Sequence, residues 1–171
     1  MKIAIKTLLF ESLSTALIGI LVWLPVFGAD TGTINASVTA SNAAISVTDG
    51  SVAYGTVAWS GTSDTTTGQT QTATNDGSTA TFNIKSSQAT GGTGWTMAGA
   101  IGTIDQFVHQ FSTTTVPTWV TFDTNPSTYK TATTSVANGL NHDIDLKITV
   151  PDETTDFTPK SITVTVQAVA E

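Results

Sequence analysis

Apolar and polar residues alternate with a period of two along most of this chain, the signature of strands with one buried face. In residues 33–40, Ile34, Ala36, Val38 and Ala40 alternate with polar neighbours, predicting a half-buried strand. The runs AISVT and SVAYGTVAW follow, separated by Asp49 and Gly50, a two-residue hairpin signal. Gly55 predicts a bulge or bend in the second run. QTQTAT and STATFNIKS flank Asn75, Asp76 and Gly77 and predict a second hairpin, with Ala80, Phe82 and Ile84 on one face. Further along, Phe107, His109 and Phe111 share a face, and a short run follows Pro117. Two late strands alternate most clearly. Ile144, Leu146, Ile148 and Val150 point inward in the first, and Ile162, Val164, Val166 and Ala168 in the second.

These segments amount to roughly nine to eleven strands with no amphipathic helix after residue 30, which predicts an all-β antiparallel sandwich. Thr-x-Thr pairs recur at 70/72/74, 79/81, 131/133 and 163/165 without a fixed longer period, so they predict wet strand faces and no solenoid.

The first residues differ. Lys2 and Lys6 precede an apolar run broken by Pro25, and small residues follow at Gly28 and Ala29. This order predicts a secretory signal over residues 1–29 and a single domain over residues 30–171, exported to the cell surface or the extracellular space. An uncleaved anchor over residues 8–29 would be the one membrane contact, and a pilin-like helix is a further alternative because of Glu11.

Composition narrows the partners. Past residue 29 the chain keeps four Lys and no Arg against twelve Asp and Glu, a net charge of about −8. Phosphate backbones need cations to displace counterions, so nucleic acid is excluded as a partner class. No Cys is present, so the core must hold without disulfides. Thr makes up about a fifth of the residues and suits a pleated, half-wet surface. The NAS at Asn35 is a glycosylation sequon.

TATNDGSTATFNIKSS, GWTM, LNHDIDLKITVP and KSITVTVQA, spread over residues 69–169, resemble the layout of immunoglobulin-like sandwich domains in bacterial exported proteins. NEW3-like domains and surface-protein stalk modules share that pattern. The resemblance implies an immunoglobulin-like fold and an exported setting, and it carries over no catalytic residue.

Candidate chemistry is sparse. His109 shares its face with two Phe and is expected in the core, while His142 is expected as a satisfied strand-edge residue. No nucleophile-elbow motif accompanies either, and the chain is expected not to be an enzyme. Asp143 and Asp145 share an outward strand face. Asp152, Glu153 and Asp156 crowd one late loop and are the candidate ligands for Ca²⁺, although the loop lacks a spaced calcium motif and the main expectation is no cofactor. Aromatics offer a second lead, because sugar rings stack on exposed Trp. Trp119, placed opposite Val120 and Phe122, is the first candidate and Trp59 the second, against a core position as the ordinary expectation for Trp59, Trp95 and Trp119 alike. The functional expectation is a structural or adhesive surface protein that assembles with itself or other surface proteins through its uncharged N-terminal strand. The alternative is a polysaccharide-binding module using exposed Trp.

Overall fold

The computed structural model describes residues 36–171. The chain divides into Met1–Val38 and Thr39–Glu171, and every described strand belongs to the second unit. Residues 36–38 of the first unit are exposed and belong to no strand. The expected signal over 1–29, the alternative anchor over 8–29, Ile34 and the sequon at Asn35 lie outside the described residues.

Ten strands follow in chain order: β1 Ile45–Thr48, β2 Thr62–Asp64, β3 Gln71–Asn75, β4 Ala80–Ser86, β5 Thr96–Met97, β6 Gln106–Ser112, β7 Val120–Thr121, β8 Lys130–Val136, β9 Asn141–Thr149 and β10 Val164–Ala170. They form two sheets. One runs β1-β3-β9-β6-β5, with β2 also on β9 and β7 also on β6; the other runs β10-β4-β8. All pairings are antiparallel except β5 with β6. The predicted all-β antiparallel sandwich is the fold.

The inward residues of the strongest runs form the core. Phe82 and Ile84 from β4, Phe107 and Phe111 from β6, and Ile144, Leu146 and Ile148 from β9 are buried between the sheets, with Phe122 beside them. Each such side chain contributes roughly 1.5–3 kcal/mol by leaving water. The inward residues of β10 are a different case. Val164, Val166 and Ala168, with Ile162 just before the strand, pack against this core but remain half-buried.

Three local expectations resolve differently. Residues 36–40 of the predicted first strand form none, and Val38 is 96% exposed. At the second difference, Asp49 and Gly50 do turn the chain, with φ of 69° and 63°. Yet β1 pairs with β3, and SVAYGTVAW joins no ladder. The third concerns the hairpin predicted around Asn75, Asp76 and Gly77, which is instead a corner between sheets. β3 lies between β1 and β9 in one sheet, whereas β4 lies between β10 and β8 in the other.

The corner has a specific cause. Asn75 is fully buried; its Oδ1 accepts from the Gly77 N–H (3.0 Å) while Nδ2 donates to the carbonyls of Ser78 (2.8 Å) and Val136 (2.6 Å). Segment 42–44 crosses directly over it. Ser78 N–H donates to the Asn42 carbonyl and Asp76 N–H to that of Ala44. A Cβ at residue 77 would sit 2.2 Å from the Asn42 carbonyl oxygen, so only glycine fits.

Candidate functional site

Residues 50–61 run as a strap across one side of the sandwich without joining a sheet. Two glutamines hold it, Gln69 just before β3 and Gln71 at its first position. The Gln69 amide accepts from Ala53 N–H (2.7 Å) and donates to the Ala53 carbonyl (3.0 Å), supplying the pair of bonds a neighbouring strand would give. Gln71 Nε2 donates to the Ser51 carbonyl (3.2 Å). Val52 and Tyr54 alternate inward and pack on the core, which explains why the strap reads as a strand.

Tyr54 anchors the strap through His109. The Tyr54 hydroxyl lies 2.8 Å from Nε2 of His109, and the Ser86 hydroxyl lies 2.7 Å from Nδ1. His109 belongs to β6 and Ser86 to β4, so the imidazole joins both sheets to the strap. The ring is 1% exposed and packs 4.9 Å from the Phe122 ring. Burial favours the neutral imidazole and lowers its pKa to about 4. Burial, and secondarily the charge of Asp64, push the Tyr54 phenol up.

Between the strap and β10 lies a cavity of about 840 Å³. Its floor is the inner face of β9, with Ile144, Leu146 and Ile148, and Ile162, Val164 and Val166 line the β10 side. Among the described residues β10 pairs with β4 alone, so its second edge has no strand beside it. The other outer strand of this small sheet, β8, is irregular: its pairing with β4 shifts register, and Ser135 has φ of 54°. Ser135 is also held by Glu171, whose carboxylate accepts from the Ser135 N–H and hydroxyl and from Thr81. These bonds, led by that from Thr81, hold the Glu171 carboxyl below its usual range.

Beside the cavity stands an aromatic pair that sequence reasoning only half found. Trp59 is 56% exposed and Phe157 is 72% exposed; their rings stack 6.0 Å apart at 15°. Trp119, the first candidate for an exposed platform, is half-buried with the Lys147 ammonium 4.8 Å above its ring. Trp59, for which a core position was the ordinary expectation, is the exposed one. Trp95 packs on the core and donates to Thr154 (3.1 Å).

The late acidic loop is a polar clasp. Asp156 is bonded to Lys160 (2.6 Å), whose ammonium also donates to the carbonyls of Gly91 and Thr93, each at 2.7 Å. Lys160 foremost, with Thr158 and Thr93, keeps the Asp156 carboxyl well below the ordinary range. A side chain at Gly92 would collide with this carboxylate, one at Gly91 with the Pro159 carbonyl and one at Gly94 with the Ala89 carbonyl, which accounts for the glycines before Trp95. Asp152 and Glu153 are exposed, and among the described residues no three His, Asp or Glu side chains converge as a metal set. Asp156 therefore serves as Lys160's partner, and the calcium expectation finds no assembled ligand set in this loop.

Other polar groups divide similarly. Asp143 accepts from Thr72 (2.8 Å) and Asp145 from Thr70 (2.7 Å), so part of the threonine excess bonds carboxylates on the outer sheet face. His142 departs from expectation, since its buried Nε2 has no hydrogen-bond partner among the described residues. The residues missed outright are Gln69, Gln71, Tyr54, Phe157 and Lys160. The paired glutamines entering β3 were the available signal. No protein-family model and no curated protein sequence matches the chain.

Proposed function

We propose that this protein is an exported, non-catalytic structural or adhesive component of the cell exterior that assembles with copies of itself. The observation that carries the reading is the edge of β10 that no strand among the described residues accompanies, beside an apolar cavity and in a small sheet whose other edge is irregular. Exposed strand edges recruit other strands, and folded proteins commonly blunt those not used for pairing. The basic–apolar–small order of residues 1–29 supports export. A non-catalytic role is supported by His109, whose two ring nitrogens are engaged inside the core by Ser86 and Tyr54. The immunoglobulin-like resemblance to stalk modules fits this role.

Light scattering of the protein recovered from an exporting host tests the proposal. The expected result is a mass that grows with protein concentration, and deletion of residues 30–41 returns it to that of one chain. A single-chain mass for the intact protein at every concentration would falsify self-assembly.

A second reading, a polysaccharide-binding module, is favoured by the exposed Trp59–Phe157 stack, since pyranose rings pack on such faces. Its test is retention on insoluble polysaccharide. The assembly reading expects wild type and Trp59→Ala to be retained equally, whereas a loss of tenfold or more on Trp59→Ala would establish the sugar site.

A further inference from the structure

The cavity beside β10 differs from a binding cleft in one respect: one wall is a strand whose second backbone edge pairs with no strand among the described residues. Any occupant must present backbone N–H and C=O groups to that edge and apolar side chains to the floor. That describes an extended strand with alternating apolar residues.

Resting on the assembly reading above, we propose that residues 33–40 of a second copy of this chain fill the cavity as an added strand on β10. Length agrees first. The seven residues of β10 span about 23 Å, and the eight of 33–40 about 26 Å, at 3.3 Å per residue. Alternation agrees next: Ile34, Ala36, Val38 and Ala40 would face Ile144, Leu146 and Ile148, while Asn35, Ser37 and Thr39 face water.

Charge agrees as well. Copies whose residues 30–171 carry about −8 repel one another, but residues 31–48 and 161–170 contain no charged side chain, so donor and acceptor meet without like charges at the contact. Chain path supplies the last argument. Asn42 is pinned to the corner by Ser78 through both its N–H (3.1 Å) and its carbonyl (2.7 Å). That corner adjoins the end of β10, where Ala170 faces Ala80 and Glu171 N–H donates to Thr79. Thr39, Ala40 and Ser41 are exposed there and lie in no strand. Residues 39–41 thus lie outside any strand beside the end of the edge that a neighbour's copy would occupy.

Because the chain has no Cys, engineered disulfides report the contact without background. Val38→Cys protein is mixed separately with Val164→Cys, Val166→Cys and Ala168→Cys proteins under mild oxidation. Thr131→Cys on β8 is the control edge. The expected result is a two-chain disulfide with at least one β10 cysteine, at five-fold or greater yield over the Thr131→Cys mixture. Should the inward substitutions unfold the protein, Ser37→Cys against Thr163→Cys and Thr165→Cys reads the same contact from the outer face.

Light scattering on the wild type separates the two levels. Polymers without any β10 cross-link overturn this placement and leave self-assembly standing, whereas an absence of polymers overturns both. A disulfide found only within single chains of Val38→Cys/Val166→Cys, with monomeric mass, assigns the strand to its own sandwich and also overturns the placement.

Discussion

Replacing Asn75 with alanine is expected to lower the unfolding free energy by about 3–5 kcal/mol, seen as a drop in urea midpoint at unchanged slope. The side chain is fully buried and serves three backbone groups at once: the Gly77 N–H and the carbonyls of Ser78 and Val136. Truncation leaves all three unpaired where water reaches poorly, and each such group costs about 1–3 kcal/mol. Aspartate should not rescue the loss, because a carboxylate accepts from Gly77 but cannot donate to two carbonyls, and its charge would be buried. Thr74→Ala is the control. It removes one exposed bond, Oγ1 to Asn141 (2.9 Å), and should cost under about 1 kcal/mol. Equal losses at residues 74 and 75 would show that the corner does not depend on this amide.

Stability is expected to fall as the solution is acidified from pH 6.5 to pH 4, by about 3 kcal/mol attributable to His109. In the folded protein burial holds the imidazole at about 4, against 6.5 when unfolded. Between those values the unfolded chain binds the proton and the folded protein does not, so the unfolding free energy rises with pH. The contribution is complete above 6.5 and gone below about 4. At lower pH the carboxyls of Asp156 and Glu171, both held below their usual range, add losses of the same sign as they protonate. His109→Gln keeps an amide to bond Ser86 and Tyr54 but does not titrate. Urea unfolding at pH 7.5, 5.5 and 4.0 should therefore give a much shallower slope in this variant. An unchanged slope would place the titration elsewhere.

Both predictions concern residues whose importance was unevenly legible. His109 could be read into the core from the phenylalanines two positions either side, but its partners could not. Ser86 is 23 residues away and Tyr54 is 55, and no local pattern links them. Asn75 was visible only as a turn residue. An Asn-Asp-Gly sequence between two alternating runs reads the same whether the second run returns along the first or crosses to another sheet. Val136 and Asn42, distant in sequence, decide between these outcomes by their hydrogen bonds at the corner. The exchange of roles between Trp59 and Trp119 has the same origin. Alternation ranks faces within one segment, whereas exposure depends on what packs over each face: Lys147 lies over the Trp119 ring, while Trp59, stacked on the exposed Phe157, stays 56% exposed.

By itself the sequence determined the all-β class, the major strands and the inward residues of β4, β6 and β9. Side-chain alternation follows from the backbone of a single strand and needs no partner. Tertiary structure alone decided which strands are neighbours, that residues 50–61 form a strap, and that β10 borders a cavity. Those outcomes depend on backbone hydrogen bonds satisfied between residues far apart in the chain, and alternating side chains do not specify their partners.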